Sequence, residues 1–471
     1  MSAAKWFSAA FAPLLWFAPL AANGQETLPA FPGAEGFGAA SVGGRGGRVI
    51  KVTNLNASGP GSLQAACEAK GPRIVVFEVS GVIRGDVVIK DSSITIAGQT
   101  APGAGITVVG MIASLFSNWD KPVGDPSRHM FHDMTIRHLR VRPPGPRGSS
   151  GDCLQFSDVD RLILDHISCS WGSDENVDLC SSRDVTVQWC TIEESSTQDH
   201  PKGRHNFGLI CGPGHHVSIH HNYFVHHARR CPAVRNGPAD IRNNVVYNFR
   251  DGYSHEGGAT DTGFNLVGNY YKAGPNDAQI FPFCMSGKVR YHLRDNSIDG
   301  VGMIQDPWAE ASKLYGLQYY AGRGLGTKAE EEFPVPKVTT QLPEEACTLV
   351  LRGAGCLPRD VVTTRCVKDF QEGTGAWGVR LPADLMEGLE HGDRAKPWAD
   401  SDADGMPDVW EQVHHLDASA DDHNERMPSG YTAVEEYCNE MASWRIVGSP
   451  EGKCPAGGSL EFSLLTPKAG R

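Results

Sequence analysis

A short alternation of apolar and polar residues recurs along the chain up to about residue 300. Its clearest copies are the segments LILDHI, VTVQWC, VSIHHN, ADIRNN and FNLVGN, at 162–167, 185–190, 217–222, 239–244 and 264–269. Such alternation, with many β-branched residues, is typical of short β-strands. The last three copies each end on an asparagine, at Asn222, Asn244 and Asn269, so the repeat also has a fixed polar position.

The spacing of these asparagines predicts a solenoid. Asn244 follows Asn222 by 22 residues, and Asn269 follows Asn244 by 25. Each interval has room for about three short strands and their turns. One such strand cannot bury both of its faces, but stacked copies can. We therefore predict an all-β parallel β-helix in which the asparagine amides hydrogen-bond along the axis. A β-sandwich is the alternative.

The repeat fades after about residue 300, which divides the chain. We predict a parallel β-helix over 25–310, an extension packed along it over 311–395, and a C-terminal segment over 396–471. Residues 1–24 combine a basic residue, an apolar run and small residues, as a signal peptide does. This predicts export to the periplasm or the extracellular space. A membrane anchor is the alternative, although the apolar run is shorter than the roughly 20 residues that a span needs.

Net charge limits the possible binding partners, and cysteine content limits the possible disulfides. The formal net charge of −12 argues against a nucleic-acid partner. We expect no membrane association and a monomer. Export permits disulfides, and the 13 cysteines leave two alternatives open. Cys438 and Cys454, or two of Cys347, Cys356 and Cys366, could form a disulfide.

Carboxylates follow neighbouring copies of the repeat. Asp165 comes directly after one strand, and Asp174 and Asp178 precede the next. If stacked rungs bring these groups together, their repulsion favours a hard cation with oxygen ligands, and Ca²⁺ suits a partly open site. The alternative is a solvated acidic turn.

Basic residues lie farther along the chain. Arg229, Arg230 and Arg235 follow the strand at 217–224, and Lys202 and His205 lie in a long insertion before it. Fixed positive charge beside cation-binding carboxylates suits an anionic polymer. The alternative is a solvated basic face.

A separate acidic motif lies near the C-terminus. Positions one, three, five, nine and twelve of the stretch DSDADGMPDVWE are acidic, and Gly405 is at position six. This matches the EF-hand type of calcium loop. The predicted structural calcium ligands are Asp400, Asp402, Asp404, Asp408 and Glu411. Aspartates that cap a helix are the alternative.

Several stretches together resemble the bacterial pectate lyases of polysaccharide lyase family 1. FPGAEGFGAASVGGRGG, GPGSLQAA and ITIAGQTAPGAGI are similar to the amino-terminal signature of that family, and LILDHIS, SDENVDL and HHARRCPAVRNG are similar to its active-site segments. The resemblance covers roughly residues 30–380. It implies a right-handed parallel β-helix and calcium-dependent cleavage of polygalacturonate by β-elimination.

The resemblance also implies residue roles. Asp165, Asp174 and Asp178 match the calcium ligands of the family. Arg230 matches the arginine that acts as base, and Arg235 matches the one that binds a substrate carboxylate. The substrate-binding lysine of the family has no clear counterpart, so Lys202 or His205 is expected to take its role.

Other functions remain as alternatives. A pectin lyase or another uronate-polymer lyase would use the same fold, and a polygalacturonase would hydrolyse the polymer with carboxylates placed for acid and base work. A non-catalytic glycan-binding solenoid would keep the site but need no base.

Overall fold

The computed structural model describes residues 28–447 except for 116–117, 119–120, 123–124, 126, 144–150, 198–199, 257–262, 305–307, 309–317, 320–325 and 379–395. The predicted signal peptide over 1–24 and Cys454 lie outside the described residues, as does part of the predicted extension over 311–395.

Three sheets, of eleven, ten and nine strands, run along the molecule. The eleven-stranded sheet consists of β1 (Arg48–Val52), β2 (Arg73–Phe77), β5 (Ile94–Ala97), β8 (Phe131–Arg137), β11 (Val159–Asp165), β14 (Arg183–Gln188), β17 (His215–His220), β20 (Ala239–Arg242), β23 (Phe264–Val267), β26 (Arg290–Arg294) and β30 (Thr327–Lys328). The ten-stranded sheet consists of β3 (Gly81–Arg84), β6 (Ile106–Val109), β9 (Arg140–Val141), β12 (Ser168–Ser170), β15 (Thr191–Glu193), β18 (Tyr223–Val225), β21 (Val245–Tyr247), β24 (Tyr270–Lys272), β27 (Ser297–Ile298) and β28 (Gly302–Met303). The nine-stranded sheet consists of β4 (Val87–Ile89), β7 (Ile112–Ser114), β10 (Leu154–Gln155), β13 (Glu175–Asp178), β16 (Phe207–Cys211), β19 (Ala233–Val234), β22 (Asp251–His255), β25 (Phe281–Met285) and β29 (Gln318–Tyr319).

Consecutive strands of the chain belong to different sheets, so each turn of the chain adds one strand to each sheet. The neighbours within a sheet are parallel, apart from the antiparallel pair β27 and β28. This confirms the predicted all-β parallel β-helix. Stacked apolar side chains fill the interior, because residues in register repeat the inward-facing position. One buried row consists of Leu162, Val185, Val217, Ala239 and Phe264.

An asparagine ladder runs along the axis, as the sequence predicted. The backbone N–H of Asn222 donates to Asn244 Oδ1 at 3.0 Å, and that of Asn244 donates to Asn269 Oδ1 at 3.0 Å. The Nδ2 groups of Asn222 and Asn244 donate to the same oxygens, at 3.0 and 3.1 Å. Asn296 extends the ladder by one rung. These residues are buried, so the ladder satisfies polar groups that water cannot reach.

Four of the described helices pack on two of the three sheets. The described α-helices are α1 (Leu63–Glu68), α2 (Pro343–Gly353), α3 (Val361–Glu372), α4 (Asp408–His414) and α5 (Ala433–Val447). Apolar side chains of α2 and α3 pack with Tyr223 and Tyr247 of the ten-stranded sheet. Those of α4 and α5 pack with Ile74 and Val76 of the eleven-stranded sheet.

The glycine-rich stretch near the N-terminus lies flat on the eleven-stranded sheet. The N–H of Gly38 donates to Thr186 Oγ1 at 2.9 Å, and the N–H of Gly44 donates to Thr95 Oγ1 at 3.0 Å. A Cβ at Gly38 would lie 2.2 Å from the Leu162 carbonyl oxygen, so only glycine allows this approach. The role of this stretch is therefore structural.

Two further observations bear on the sequence predictions. The cysteines of the described residues are all free thiols, and most of them are buried. Within the described ranges, every helix is too short or too polar to cross a lipid bilayer.

The asparagine ladder generates a stability prediction. In Asn244→Ala, the buried N–H groups of Asn222 lose their acceptor, and each orphaned buried group costs about 1–3 kcal/mol. We expect the free energy of unfolding to fall by roughly 2–4 kcal/mol. Urea unfolding followed by circular dichroism measures this. The exposed Asn56 provides the control, and Asn56→Ala should change the value by less than about 0.5 kcal/mol. Equal effects of the two substitutions would contradict a stabilising ladder.

Candidate active site

The register of the nine-stranded sheet brings acidic and basic residues into one row. Glu175 at the start of β13 pairs with Phe207 at the start of β16, and Phe207 forms a bridge with Arg229. Adjacent strands lie about 4.8 Å apart. Glu175 and Arg229 are distant in sequence but lie two strands from each other in the sheet.

Carboxylates gather at the same edge of this sheet. Asp152 lies just before β10 and is 2% exposed, and its Oδ1 accepts the Glu175 N–H at 3.0 Å. Oxygens of Asp152, Asp174 and Glu175 lie within 4.8 Å of one another. Asp178 ends β13 and pairs in register with Gln155 of β10. We call Asp152, Asp174, Glu175 and Asp178 the carboxylate cluster.

Burial and mutual repulsion raise the pKa values of two carboxyl groups of the cluster. Burial, together with the Asp178 and Asp174 charges, raises the pKa of Asp152 well above its usual range. Burial and the Asp174 charge raise the pKa of Asp178 to about 7. Buried like charges oppose each other's ionisation, and a divalent cation relieves that opposition. The oxygen-only donor set of the cluster therefore fits Ca²⁺.

Arg229 and Arg230 are both held by carboxylates. Arg230 forms an ion pair with Glu175 through Nη1, and its Nε lies 3.6 Å from Glu256 Oε1. The Nη2 of Arg229 lies 3.6 Å from the same Glu256 oxygen, and its Nε lies 3.1 Å from Asp251 Oδ2. These ion pairs fix the two guanidinium groups directly beside the carboxylate cluster.

Phe207 and the backbone further constrain Arg230. The Phe207 ring centroid lies 4.4 Å from the Arg230 guanidinium carbon, which is a cation–π contact. Arg230 has a φ of 62°, in the left-handed region, and its carbonyl accepts the Leu209 N–H at 2.8 Å. A non-glycine residue in this region costs folding free energy, which its contacts must offset.

Two histidines of the long insertion contact the carboxylate cluster. His200 Nε2 lies 3.3 Å from Asp174 Oδ2, and His205 Nε2 lies 3.4 Å from Asp174 Oδ1. The two imidazole rings pack with their centroids 3.6 Å apart. His205, which the sequence predicted to bind substrate, is thus placed against a carboxylate.

Lys202 and Arg235 have unengaged side chains. Lys202 is exposed and Arg235 is half-buried just after β19, where its backbone N–H donates to the Cys211 carbonyl at 3.1 Å. Within the described part of the chain, neither side chain forms a hydrogen bond or an ion pair. Both cations are therefore available to an anionic ligand.

Asp165 does not join the carboxylate cluster, which corrects the sequence prediction. It ends β11 of the eleven-stranded sheet and is 1% exposed. Its carboxylate accepts hydrogen bonds from Arg137 Nε and Gln188 Nε2, both at 2.9 Å, and contacts His166 Nδ1 at 2.9 Å. Burial alone would raise the pKa of Asp165, but His166 and Arg137 outweigh it and hold this pKa well below its usual range. Asp165 is thus a buried carboxylate whose charge is compensated by its neighbours.

Sequence reasoning missed Asp152, Glu175 as an arginine partner, and Glu256. A signal for Asp152 existed, because Asp152 precedes Glu175 by 23 residues, the same interval that separates Asp165 from Gln188 on the neighbouring rung. Glu256 follows a strand without the asparagine that marked the repeat, so its position left no comparable signal.

The C-terminal acidic loop lies against the first strands of the eleven-stranded sheet. Asp400 Oδ2 is 3.0 Å from Lys51 Nζ of β1, and Asp404 and Glu411 are buried. Asp408, a predicted ligand, instead accepts hydrogen bonds from the N–H and Oγ of Ser401, both at 2.7 Å. Both Asp408 oxygens are thus engaged by Ser401.

The chain is similar in sequence to known pectate lyases. A probable pectate lyase C from Aspergillus fumigatus is 35% identical over 446 residues, covering 91% of this chain and 98% of that protein. A probable pectate lyase C from Neosartorya fischeri is 36% identical over 444 residues, with 91% and 98% covered. These relatives are fungal, so the expected bacterial affiliation is not borne out. No family model matches the chain.

A solved structure of a thermostable pectate lyase, PL 47, overlaps 68% of this chain and 96% of its own, with a TM-score of 0.49 and 14% identity. We draw nothing from so distant a match. The identity to the fungal proteins over nearly their whole length is sufficient by itself, and the chain therefore belongs to the pectate lyase family of polysaccharide lyases.

Proposed function

We propose that the protein is a calcium-dependent pectate lyase that cleaves α-1,4-linked polygalacturonate by β-elimination, giving unsaturated oligogalacturonates. The observation that carries the proposal is the carboxylate cluster beside Arg230, in a chain of the pectate lyase family. The raised pKa values of Asp152 and Asp178 support a cation there. The proposed calcium ligands are Asp152, Asp174 and Asp178, with Asp152 taking the role expected of Asp165.

Basic residues outside the cluster are suited to bind an acidic polymer. Bound calcium supplies charge that neutralises a uronate carboxylate and thereby acidifies the proton on C5. We assign Arg235 and Lys202 to substrate binding, because both are cations with unengaged side chains in the described structure. We assign His205 to positioning Asp174, which it contacts.

We assign the base to Arg230. It takes the C5 proton, the C4–O glycosidic bond breaks, and a double bond forms between C4 and C5 without consumption of water. Ion pairs favour the protonated guanidinium, so this role requires the contact between Arg230 and Glu175 to open when substrate binds. Glu175 belongs to both the ion pair and the carboxylate cluster. Substrate or calcium binding at the cluster would therefore act on Arg230 through Glu175.

Three proposals concern the rest of the chain. The residues 1–24 have the pattern of a signal peptide, and with pectate lyase relatives this supports secretion. The monomeric state remains a proposal. The loop that begins at Asp400 offers only oxygen donors, and we propose that it binds a second, structural Ca²⁺.

Arg230 gives the first activity prediction. Arg230→Ala should lower kcat on polygalacturonate by at least about 10²-fold, since the proton acceptor is lost. Chelation should abolish activity of the parent, and added Ca²⁺ should restore it. The readout is the ultraviolet absorbance of the unsaturated product.

The exposed Arg48 provides the matched control, and Arg48→Ala should behave like the parent. New reducing ends without ultraviolet absorbance would indicate hydrolysis and contradict elimination. Polymer binding by the parent without any cleavage would indicate a non-catalytic solenoid.

Asp152 and Asp165 give opposite predictions. Asp152→Asn removes a calcium ligand, so the Ca²⁺ concentration for half-maximal activity should rise by about tenfold or more. Asp165→Asn strands the buried Arg137 charge, so the free energy of unfolding should fall by about 3–5 kcal/mol while that Ca²⁺ concentration stays unchanged. Calcium titrations and urea unfolding measure both. A raised calcium requirement in a stable Asp165→Asn protein would restore the sequence-based assignment.

The raised pKa of Asp178, about 7, predicts pH-dependent calcium binding. A carboxyl with a raised pKa keeps its proton to higher pH, and Ca²⁺ requires the ionised form. Apparent affinity should therefore increase as pH rises through about 7, by up to about tenfold per pH unit for each proton displaced. Without calcium, the same shift should make the fold less stable as pH rises through that range. Calorimetric Ca²⁺ titrations from about pH 5.5 to 8.5 test this, and a flat affinity would contradict it.

A further inference from the structure

Five carboxylates at the C-terminal loop direct unpaired oxygens inward. Among the described residues, no hydrogen-bond donor reaches these buried oxygens, which belong to Asp400 (Oδ1), Asp402 (Oδ2), Asp404 (Oδ2), Glu411 (Oε1 and Oε2) and Asp422 (Oδ1). Glu411 is 0% exposed and both of its oxygens are unpaired. Buried charge is costly unless it is paired, coordinates a metal ion or is neutralised by a proton, so this group is a candidate cation site.

The second oxygen of the aspartates holds the loop in shape. Asp400 Oδ2 accepts the Gly405 N–H at 3.0 Å, and Asp402 Oδ1 accepts the Asp404 N–H at 3.2 Å. Asp404 Oδ1 accepts the Met406 N–H at 2.9 Å. Each carboxylate thus has one oxygen bound to the backbone and one oxygen left for a ligand. A solvated acidic turn would not bury the free oxygens in this way.

Asp422 comes from outside the sequence motif. Its Oδ2 accepts the Asp417 N–H at 3.2 Å, and its Oδ1 is one of the unpaired oxygens. Ligand atoms of Asp404, Asp421 and His423 lie within 4.8 Å of one another, so both sequence neighbours of Asp422 lie beside the loop. The structure therefore substitutes Asp422 for Asp408, whose oxygens are bound to Ser401.

The loop is in contact with the first rung of the β-helix. A Cβ at Gly405 would lie 2.5 Å from Val49 Cγ1, so the loop backbone packs tightly on β1. Asp400 forms an ion pair with Lys51 at 3.0 Å. Next to Asp422, His423 Nε2 contacts the Gly47 carbonyl oxygen at 3.1 Å.

We propose that one Ca²⁺ bound by Asp400, Asp402, Asp404, Glu411 and Asp422 joins the loop, α4 and the segment 417–426, and so fastens the C-terminal segment to β1 and β2. This inference rests on the proposed calcium loop and adds to it a ligand and a role. The ion acts as a latch on the eleven-stranded sheet, separate from the carboxylate cluster on the nine-stranded sheet.

Hydrogen–deuterium exchange of the full chain tests the latch locally, because it reports on α5 and on 400–426 without using activity. Added Ca²⁺ should slow exchange in both. In Asp422→Asn and in Glu411→Gln, that protection should require about tenfold or more Ca²⁺. Asp408→Asn is the matched control, because the motif makes it a ligand and the structure does not, and it should respond like the parent. At saturating Ca²⁺, the kcat of Asp422→Asn on polygalacturonate should equal that of the parent.

The outcomes separate the two proposals. If Asp408→Asn raises the calcium requirement and Asp422→Asn does not, the motif gives the correct ligands and our assignment of Asp422 is wrong. If Ca²⁺ protects 400–411 but leaves α5 unchanged, the loop binds calcium without acting as a latch. If Ca²⁺ supports elimination yet leaves the exchange of 400–447 unchanged, both the latch and the loop calcium are wrong, and the proposed lyase function stands.

Discussion

The parallel register between successive rungs is the constraint on which the rest of the structure depends. It places residues more than twenty positions apart in sequence side by side, at the spacing of neighbouring strands. The ladder of Asn222, Asn244 and Asn269 holds this register with buried hydrogen bonds. The same register puts Glu175 two strands from Arg229. Any slip of one residue would turn the cluster into the interior and bring apolar side chains out.

Asp165 and Asp152 are both buried carboxylates, but the charges around them differ. This difference distinguishes a structural carboxylate from a candidate functional one. Asp165 is buried, and the charges of His166 and Arg137 stabilise its ionised form. Asp152 is equally buried, and its nearest charges include the carboxylates of Asp174 and Asp178. The buried charge of Asp165 is compensated by its partners, whereas buried carboxylates of the second kind oppose folding unless a cation or a proton neutralises them. This difference supports placing the proposed calcium site at Asp152 and its neighbours.

The solenoid was predictable from the sequence because its signal is periodic. Three asparagines at intervals of 22 and 25 residues marked one position of the rung. In the structure, these asparagines lie at equivalent positions of successive rungs and form the ladder. Alternation, however, does not say to which of the three sheets a strand belongs. Asp165 ends a strand of the eleven-stranded sheet and Asp174 precedes a strand of the nine-stranded sheet, so closeness in sequence gave the wrong partner. In the C-terminal loop, a local motif had no means of indicating Asp422, whose buried, unpaired Oδ1 lies outside the motif.

The placement of helices accounts for where chemistry is possible on this solenoid. Helices α2 and α3 pack on the ten-stranded sheet, and α4 and α5 pack on the eleven-stranded sheet. The carboxylate cluster, Arg230 and Arg235 lie along the nine-stranded sheet, whereas these four helices pack on the other two sheets. The loop at Asp400 lies instead under the helices that cover another sheet. Because a cation there would stabilise packing and a cation at the cluster would serve the substrate, the same ion would have two physically independent roles in one chain.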